Sequence, residues 1–192
     1  MSRRLKIMTV FGTRPEAIKV APLLRELERR PRSFKTVNVS SGQHRDLLPP
    51  IIKLFGLRID YDLEVHGLEQ ECMSGAVSQR LLAVVDRESP DLMLVQGDTS
   101  TALGAARAGV ASRLPVGHIE AGLRSGDESS PFPEEIHRKL IAKLASYHFA
   151  PTTNNRRNLL SEGIPAPRVF VTGNTVVDSL QEILARNHVQ DR

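Results

Sequence analysis

Three short polar stretches carry the residue types that do chemistry in this chain: GTRPE at residues 12–16, QGDTST at residues 96–101 and HIEAGLRSGD at residues 118–127. Arg14 and Lys19, beside a helix start announced by Pro15, offer two cations and backbone N–H groups, the combination that holds a phosphate. Asp98, Glu120 and the adjacent Glu134 and Glu135 supply carboxylates, which beside a bound anion serve proton transfer better than affinity. The chemistry expected is proton transfer on a small ligand with one anionic end.

These stretches need elements to bring them together. Residues 5–11, 34–39, 92–95, 116–119, 147–150 and 169–171 are short, apolar and bounded by Gly, Pro or polar residues, and read as strands. Val20, Leu23, Leu24 and Leu27 keep helical spacing after Pro15. Residues 99–112 are rich in Ala; Ile136, Leu140, Ile141 and Leu144 form a stripe after Pro133; residues 174–185 supply a last helix. Pro49 and Pro50 predict a helix that begins near Pro50. Strands alternating with helices imply an α/β, Rossmann-like, doubly wound domain with a mainly parallel sheet, whose ligand crevice lies beyond the carboxyl ends of the strands. No G-x-G-x-x-G follows the first strand and no P-loop occurs, which disfavours NAD binding and P-loop hydrolysis.

Composition narrows the class. At 192 residues, 40% hydrophobic and 25% charged, the chain supports one sizeable core. A net charge of +4 with only 4% aromatics and dispersed basic residues does not predict a nucleic-acid partner; Arg3, Arg4 and Lys6 are the one terminal basic cluster. The lone Cys72 leaves neither a disulfide framework nor a cysteine-based metal site, in keeping with a reducing compartment. The first apolar run stops at Phe11, short of a signal sequence, and no run approaches the ~20 apolar residues of a membrane span. A soluble, cytoplasmic protein with no membrane partner is expected.

VFGTRPEAIK, SGQHRDLL, VQGDTSTAL, VGHIEAGLRSGD, PFPEE and VTGNTVVDSL, in this order, resemble the non-hydrolysing UDP-N-acetylglucosamine 2-epimerases from residue 7 to about residue 180. The resemblance implies the first half of a two-domain glycosyltransferase-B-like architecture, with residues 1–180 as its N-terminal domain and residues 181–192 as a terminal helix or tail towards a second domain. It implies interconversion of UDP-N-acetylglucosamine and UDP-N-acetylmannosamine by elimination of UDP to a glycal and re-addition, with neither cofactor nor metal. By the same resemblance Asp98, Glu120 and Glu134 are the catalytic carboxylates, Arg14 and Lys19 meet the substrate, and Gln43, His44 and Arg45 contact a regulatory second UDP-sugar. It further implies a homodimer and a C-terminal domain in the same or a separate polypeptide, without which the chain is expected to be inactive. A truncated domain that binds nucleotide-sugar weakly, or only dimerises, is the alternative. Two places depart from the family pattern: His137, where Asn is more common, and the Pro49-Pro50 pair.

Several of these residues also have plain structural roles open to them. Arg14 could pair with Glu16, and Asp98 could cap the helix that follows it. Glu134 and Glu135 could be first-turn acids paired at i+4 with Arg138 and Lys139, which is the reading preferred for Glu135. His118 suits a hydrogen-bonded structural histidine as well as a substrate contact, and Cys72 and Met73 read as packing residues.

Overall fold

Apolar runs punctuated by turn-forming residues pair as strands in the computed structural model, which describes residues 3–190. Strands β1 (Leu5–Phe11), β2 (Phe34–Ser40), β3 (Tyr61–Asp62), β4 (Leu92–Gln96), β5 (Val116–Ile119), β6 (Tyr147–Ala150) and β7 (Val169–Val171) form one sheet, ordered β3-β2-β1-β4-β5-β6-β7. Every neighbouring pair is parallel. All six runs expected to be strands are strands. The seventh, β3, has two residues and no apolar run to announce it.

The helices are α1 (Arg14–Glu28), α2 (Leu48–Phe55), α3 (Gln70–Glu88), α4 (Ser100–Ala111), α5 (Glu134–Leu144), α6 (Thr153–Ser161) and α7 (Thr175–Gln190). Parallel strands need crossovers, and these helices supply them. On one face of the sheet Met8, Val10, Val39, Met93 and Val95 bury against Val77 and Leu81 of α3 and Ala102, Ala105 and Ala106 of α4. The approach of α3 to α4 is close: a Cβ on Gly104 would lie 2.5 Å from the Ser74 carbonyl oxygen. On the other face Phe11 packs with Ala17, Val20, Leu24 and Leu48, while Ile7, Leu94 and Ile119 pack with Leu27. The chain passes from one half of the sheet to the other between β1 and β4, so a crevice opens at the carboxyl ends of those two strands.

Two proline positions shape one side of the domain. In α2 the helix starts at Leu48, slightly ahead of the expected Pro50, and both prolines fall in its first turn, where backbone N–H groups lack helical acceptors anyway. Pro22 lies inside α1 and leaves the Ile18 carbonyl without its helical donor. Ser179 of α7 donates its hydroxyl to that carbonyl at 2.5 Å, and Arg25 pairs with Glu182. α7 is therefore latched along α1.

Helix α7 runs without interruption through the expected division at residue 180. The last two residues of the expected 181–192 tail, and the first two of the basic start, lie outside the described residues. Cys72 departs from expectation: it is exposed on α3, whereas Met73 beside it is buried. Among the described residues no helix is long and apolar enough to cross a membrane.

Candidate active site

The first polar stretch closes on itself. Thr13 is the N-cap of α1 and Glu16, three residues on, completes a capping box. Glu16 is 1% exposed; its Oε2 accepts the backbone N–H groups of Gly12 (3.0 Å) and Thr13 (2.8 Å), and its Oε1 accepts the Thr99 hydroxyl at 2.6 Å. This is a correction to the pairing considered from sequence: Glu16 turns inward to the backbone and Thr99, and Arg14 stands exposed. Glu16 thus fills donors at the start of α1 and ties the β1–α1 turn to the β4–α4 turn. Burial raises its pKa above the usual carboxylate value, against the lowering effect of those same hydrogen bonds. Gly12 is required by contact, since a Cβ there would sit 1.7 Å from the Ser41 hydroxyl oxygen.

The third stretch delivers Glu120 just past β5 in the left-handed region, at φ 64°, an uncommon conformation for a residue with a Cβ. Its carboxylate is held from three sides. Lys19 Nζ reaches both oxygens at 2.9 and 2.6 Å, Gln96 Nε2 donates to Oε2, and Asn174 Nδ2 donates to Oε1 at 3.0 Å. Lys19 therefore serves a carboxylate, and its charge is already matched.

Asp98 follows β4 and is met by α5. Arg138 forms an ion pair with Asp98 at 2.6 Å and another with Glu135 at 2.7 Å, while His137 Nδ1 donates to the Asp98 backbone carbonyl at 2.8 Å. Burial raises the Asp98 pKa, which the Arg138 charge only partly offsets, and the nearby Glu120 adds to the rise. The cap of α4 falls to Thr99, whose hydroxyl accepts from Ala102 N at 3.0 Å; this corrects the expectation that Asp98 caps that helix. Glu135 is corrected too. It is fully buried, its partner is Arg138 at i+3, and Lys139 pairs instead with Glu128. Burial opposes ionisation of Glu135, yet the hydrogen bond and charge of Arg138 hold its pKa below the usual value.

His118 is 1% exposed and donates Nε2 to the Gly97 carbonyl at 2.7 Å, steadying the turn that carries Asp98. Its neighbour in register on β6 is His148, also fully buried. Burial lowers both pKa values to about 4. These are structural histidines.

Asp98, Glu120, Glu134, Lys19, Gln43 and His44 line one cleft of about 320 Å³ at the carboxyl ends of β1 and β4. Glu16, Gln96, Thr99, His137 and Arg138 line it as well. Arg14 is not among the lining residues; its backbone N–H approaches His44 Nδ1 at 3.5 Å. Arg45 faces a separate cavity, with its guanidinium 3.2 Å from His66 Nε2. A larger concavity of about 910 Å³ lies at the opposite ends of the strands, lined by Arg4, Lys35, Arg58 and Arg87. Polar groups there are already partnered: Arg58 forms an ion pair with Asp60, and the Tyr61 hydroxyl donates to Glu88. The cleft beside Asp98 instead holds two carboxyls, Asp98 and Glu16, whose pKa is raised by burial, at a topological switch point, and it is the candidate site.

Residues 25–192 match the profile of the UDP-N-acetylglucosamine 2-epimerase family. The chain belongs to that family. It is 48% identical over 180 residues to the UDP-N-acetylglucosamine 2-epimerase of Yersinia pestis, covering 92% of this chain and 47% of that protein. The corresponding protein of Salmonella typhimurium is also 48% identical over 180 residues, with the same coverage. The crystal structure of the Neisseria meningitidis UDP-GlcNAc 2-epimerase bound to UDP-GlcNAc superposes with a TM-score of 0.92 at 41% identity, covering 97% of this chain and 51% of that one. The chain spans about half the length of the curated relatives it matches. Its sheet is the first Rossmann-like half of the glycosyltransferase-B-like architecture of this epimerase family.

Proposed function

We propose that this chain supplies the N-terminal half of the active site of an enzyme that interconverts UDP-N-acetylglucosamine and UDP-N-acetylmannosamine. The observation that carries the reading is the set of carboxylates Asp98, Glu120 and Glu134 on one polar cleft, in a chain 41% identical to an epimerase solved with UDP-GlcNAc. In the elimination step a carboxylate takes the C2 proton, the C1–O bond to UDP breaks with its electron pair leaving on the diphosphate, and a C1=C2 double bond forms. Re-addition of UDP to C1, with a proton delivered to the other face of C2, gives the epimer. Asp98 suits the proton-transfer role, because burial moves its pKa up towards working pH. Glu120, saturated by Lys19, Gln96 and Asn174, suits the orienting of the sugar, and Glu134 at the start of α5 faces the same space. Arg14, exposed beside the cleft, is the cation left to meet the diphosphate.

The reading takes a UDP-sugar as ligand, a C-terminal domain in cis or in trans, a homodimer as assembly and the cytoplasm as compartment. The isolated chain is inactive in this view, because water is excluded from the reaction only when a second domain closes the cleft. The test joins the chain to the C-terminal half of a relative and incubates it with UDP-N-acetylglucosamine in deuterated water. Proton NMR is expected to show the second UDP-sugar with deuterium at C2, and Asp98→Asn or Glu120→Gln to remove both signals. A joined protein that leaves the sugar unchanged and undeuterated refutes the proposal.

A further inference from the structure

Asn174 immediately precedes α7, and its side-chain amide is used at both ends. Oδ1 accepts the backbone N–H of Val176 at 3.1 Å, capping the helix, while Nδ2 donates to Glu120 Oε1 at 3.0 Å. Capping alone places little demand on residue type, since Asp and Ser cap about as well as Asn. An amide is needed only where acceptor and donor must sit on one short planar group. Asp would keep the cap but set a second carboxylate against Glu120.

The other donors on Glu120 come from α1 and β4, through Lys19 and Gln96. Among the described residues Asn174 is the donor that comes with the start of α7, which is itself fastened to α1 by Ser179 on the Ile18 carbonyl and by Arg25 with Glu182. Ile18 is the residue before Lys19. The seating of α7 on α1 therefore sets where both Lys19 and Asn174 stand relative to the carboxylate.

We infer that Asn174 is a positioning residue: it aims the Glu120 carboxylate from the start of α7, so that Glu120 is correctly oriented only while α7 is seated on α1. The inference rests on the role given to Glu120 above. A pure helix cap would have no effect on Glu120, and the two roles separate experimentally.

In the 192-residue chain, urea unfolding at pH 7.5 is measured for Asn174→Asp, Glu120→Gln and the double variant. Asn174→Asp is expected to lower the folding constant roughly tenfold through like-charge repulsion. That loss should vanish in the Glu120→Gln background, where an amide faces the new carboxylate. Equal folding constants with and without Asn174→Asp, in both backgrounds, are what a pure cap predicts and would overturn the inference. In the chain joined to a relative's C-terminal half, Asn174→Ser keeps a capping oxygen and loses the reach to Glu120. It is expected to lower kcat about tenfold with KM within about twofold; an unchanged kcat overturns the inference. If the joined wild-type protein does not epimerise, the functional reading falls, and the unfolding cycle still decides whether Asn174 and Glu120 are coupled.

Discussion

Replacing Glu16 separates its two contributions, hydrogen bonding and charge. In Glu16→Ala the buried N–H groups of Gly12 and Thr13 and the part-buried hydroxyl of Thr99 lose their acceptor together. An unsatisfied buried donor costs about 1–3 kcal/mol, so the two backbone groups predict a loss of roughly 2–6 kcal/mol, with water able to serve the Thr99 hydroxyl. That is a large part of the ~5–15 kcal/mol that holds a domain together. Glu16→Gln keeps one oxygen for the two backbone groups and offers an amide to Thr99, whose hydroxyl can turn to accept, so the expected loss is only about 1 kcal/mol. Wild type should also differ from both variants in pH dependence, since neither Ala nor Gln titrates. Burial raises the Glu16 pKa above 4.5, so its contribution is fully present below that value and is lost as pH rises through the folded-state pKa. Wild type should therefore lose ground to Glu16→Gln as pH increases from about 4.5. Urea unfolding followed by circular dichroism from pH 4.5 to 8 measures both effects. If Glu16→Gln is as damaging as Glu16→Ala, or Glu16→Ala costs under 1 kcal/mol, the buried acceptor does not hold the two turns together.

Two further outcomes follow from buried groups elsewhere. His118 and His148 have folded-state pKa values lowered to about 4 from 6.5, so their neutral forms contribute fully above pH 6.5 and that stability is lost as pH falls towards 4. The loss should approach about 3 kcal/mol per histidine, so the urea midpoint should fall more steeply between pH 6.5 and 4 in wild type than in a variant lacking both rings' titration; equal slopes contradict the assignment. Ser179→Ala removes the donor on the Ile18 carbonyl and should cost about 1 kcal/mol in wild type. In a Pro22→Ala background, where α1 supplies its own N–H to that carbonyl, the same change should cost less, and strict additivity of the two in thermal unfolding would disprove the latch.

What could be read without coordinates depended on range. The strands were legible because each run of β-branched and apolar residues is continuous and bounded, and α1, α4, α5 and α7 because their signals are local. Helix α3 buries Met73, Val77, Leu81 and Val84 at helical spacing but has no side-chain cap to mark its start. Helix α6 had little to show, since its sequence is polar and buries only Asn155 and Leu159. At the site, placement at strand ends for Asp98 and Glu120 and at a helix start for Glu134 goes with their lining of one cleft. The partners were not legible. Glu16 with Thr99, Lys19 with Glu120 and Asp98 with Arg138 join residues far apart in sequence, and a capping-box Glu or an i+4 pair looks the same whether its carboxylate faces water or the interior. The capping box T-x-x-E at Thr13 and Glu16 was the one local signal that could have found Glu16.

β1 is an interior strand of the sheet and needs a partner on each edge as the chain comes off the ribosome. Ile7 pairs with Leu92, so the second edge of the first strand waits for a partner made about 85 residues later. At roughly 5–20 residues per second, that interval is about 4–17 s, during which residues 7–10 have a strand, β2, on one edge only, although α1 is already made to cover one face. The open edge of β1 is thus available for mispairing early in synthesis, and the arrival of Leu92 to Gln96 both fills that edge and brings Thr99 to the turn that Glu16 already holds through Gly12 and Thr13.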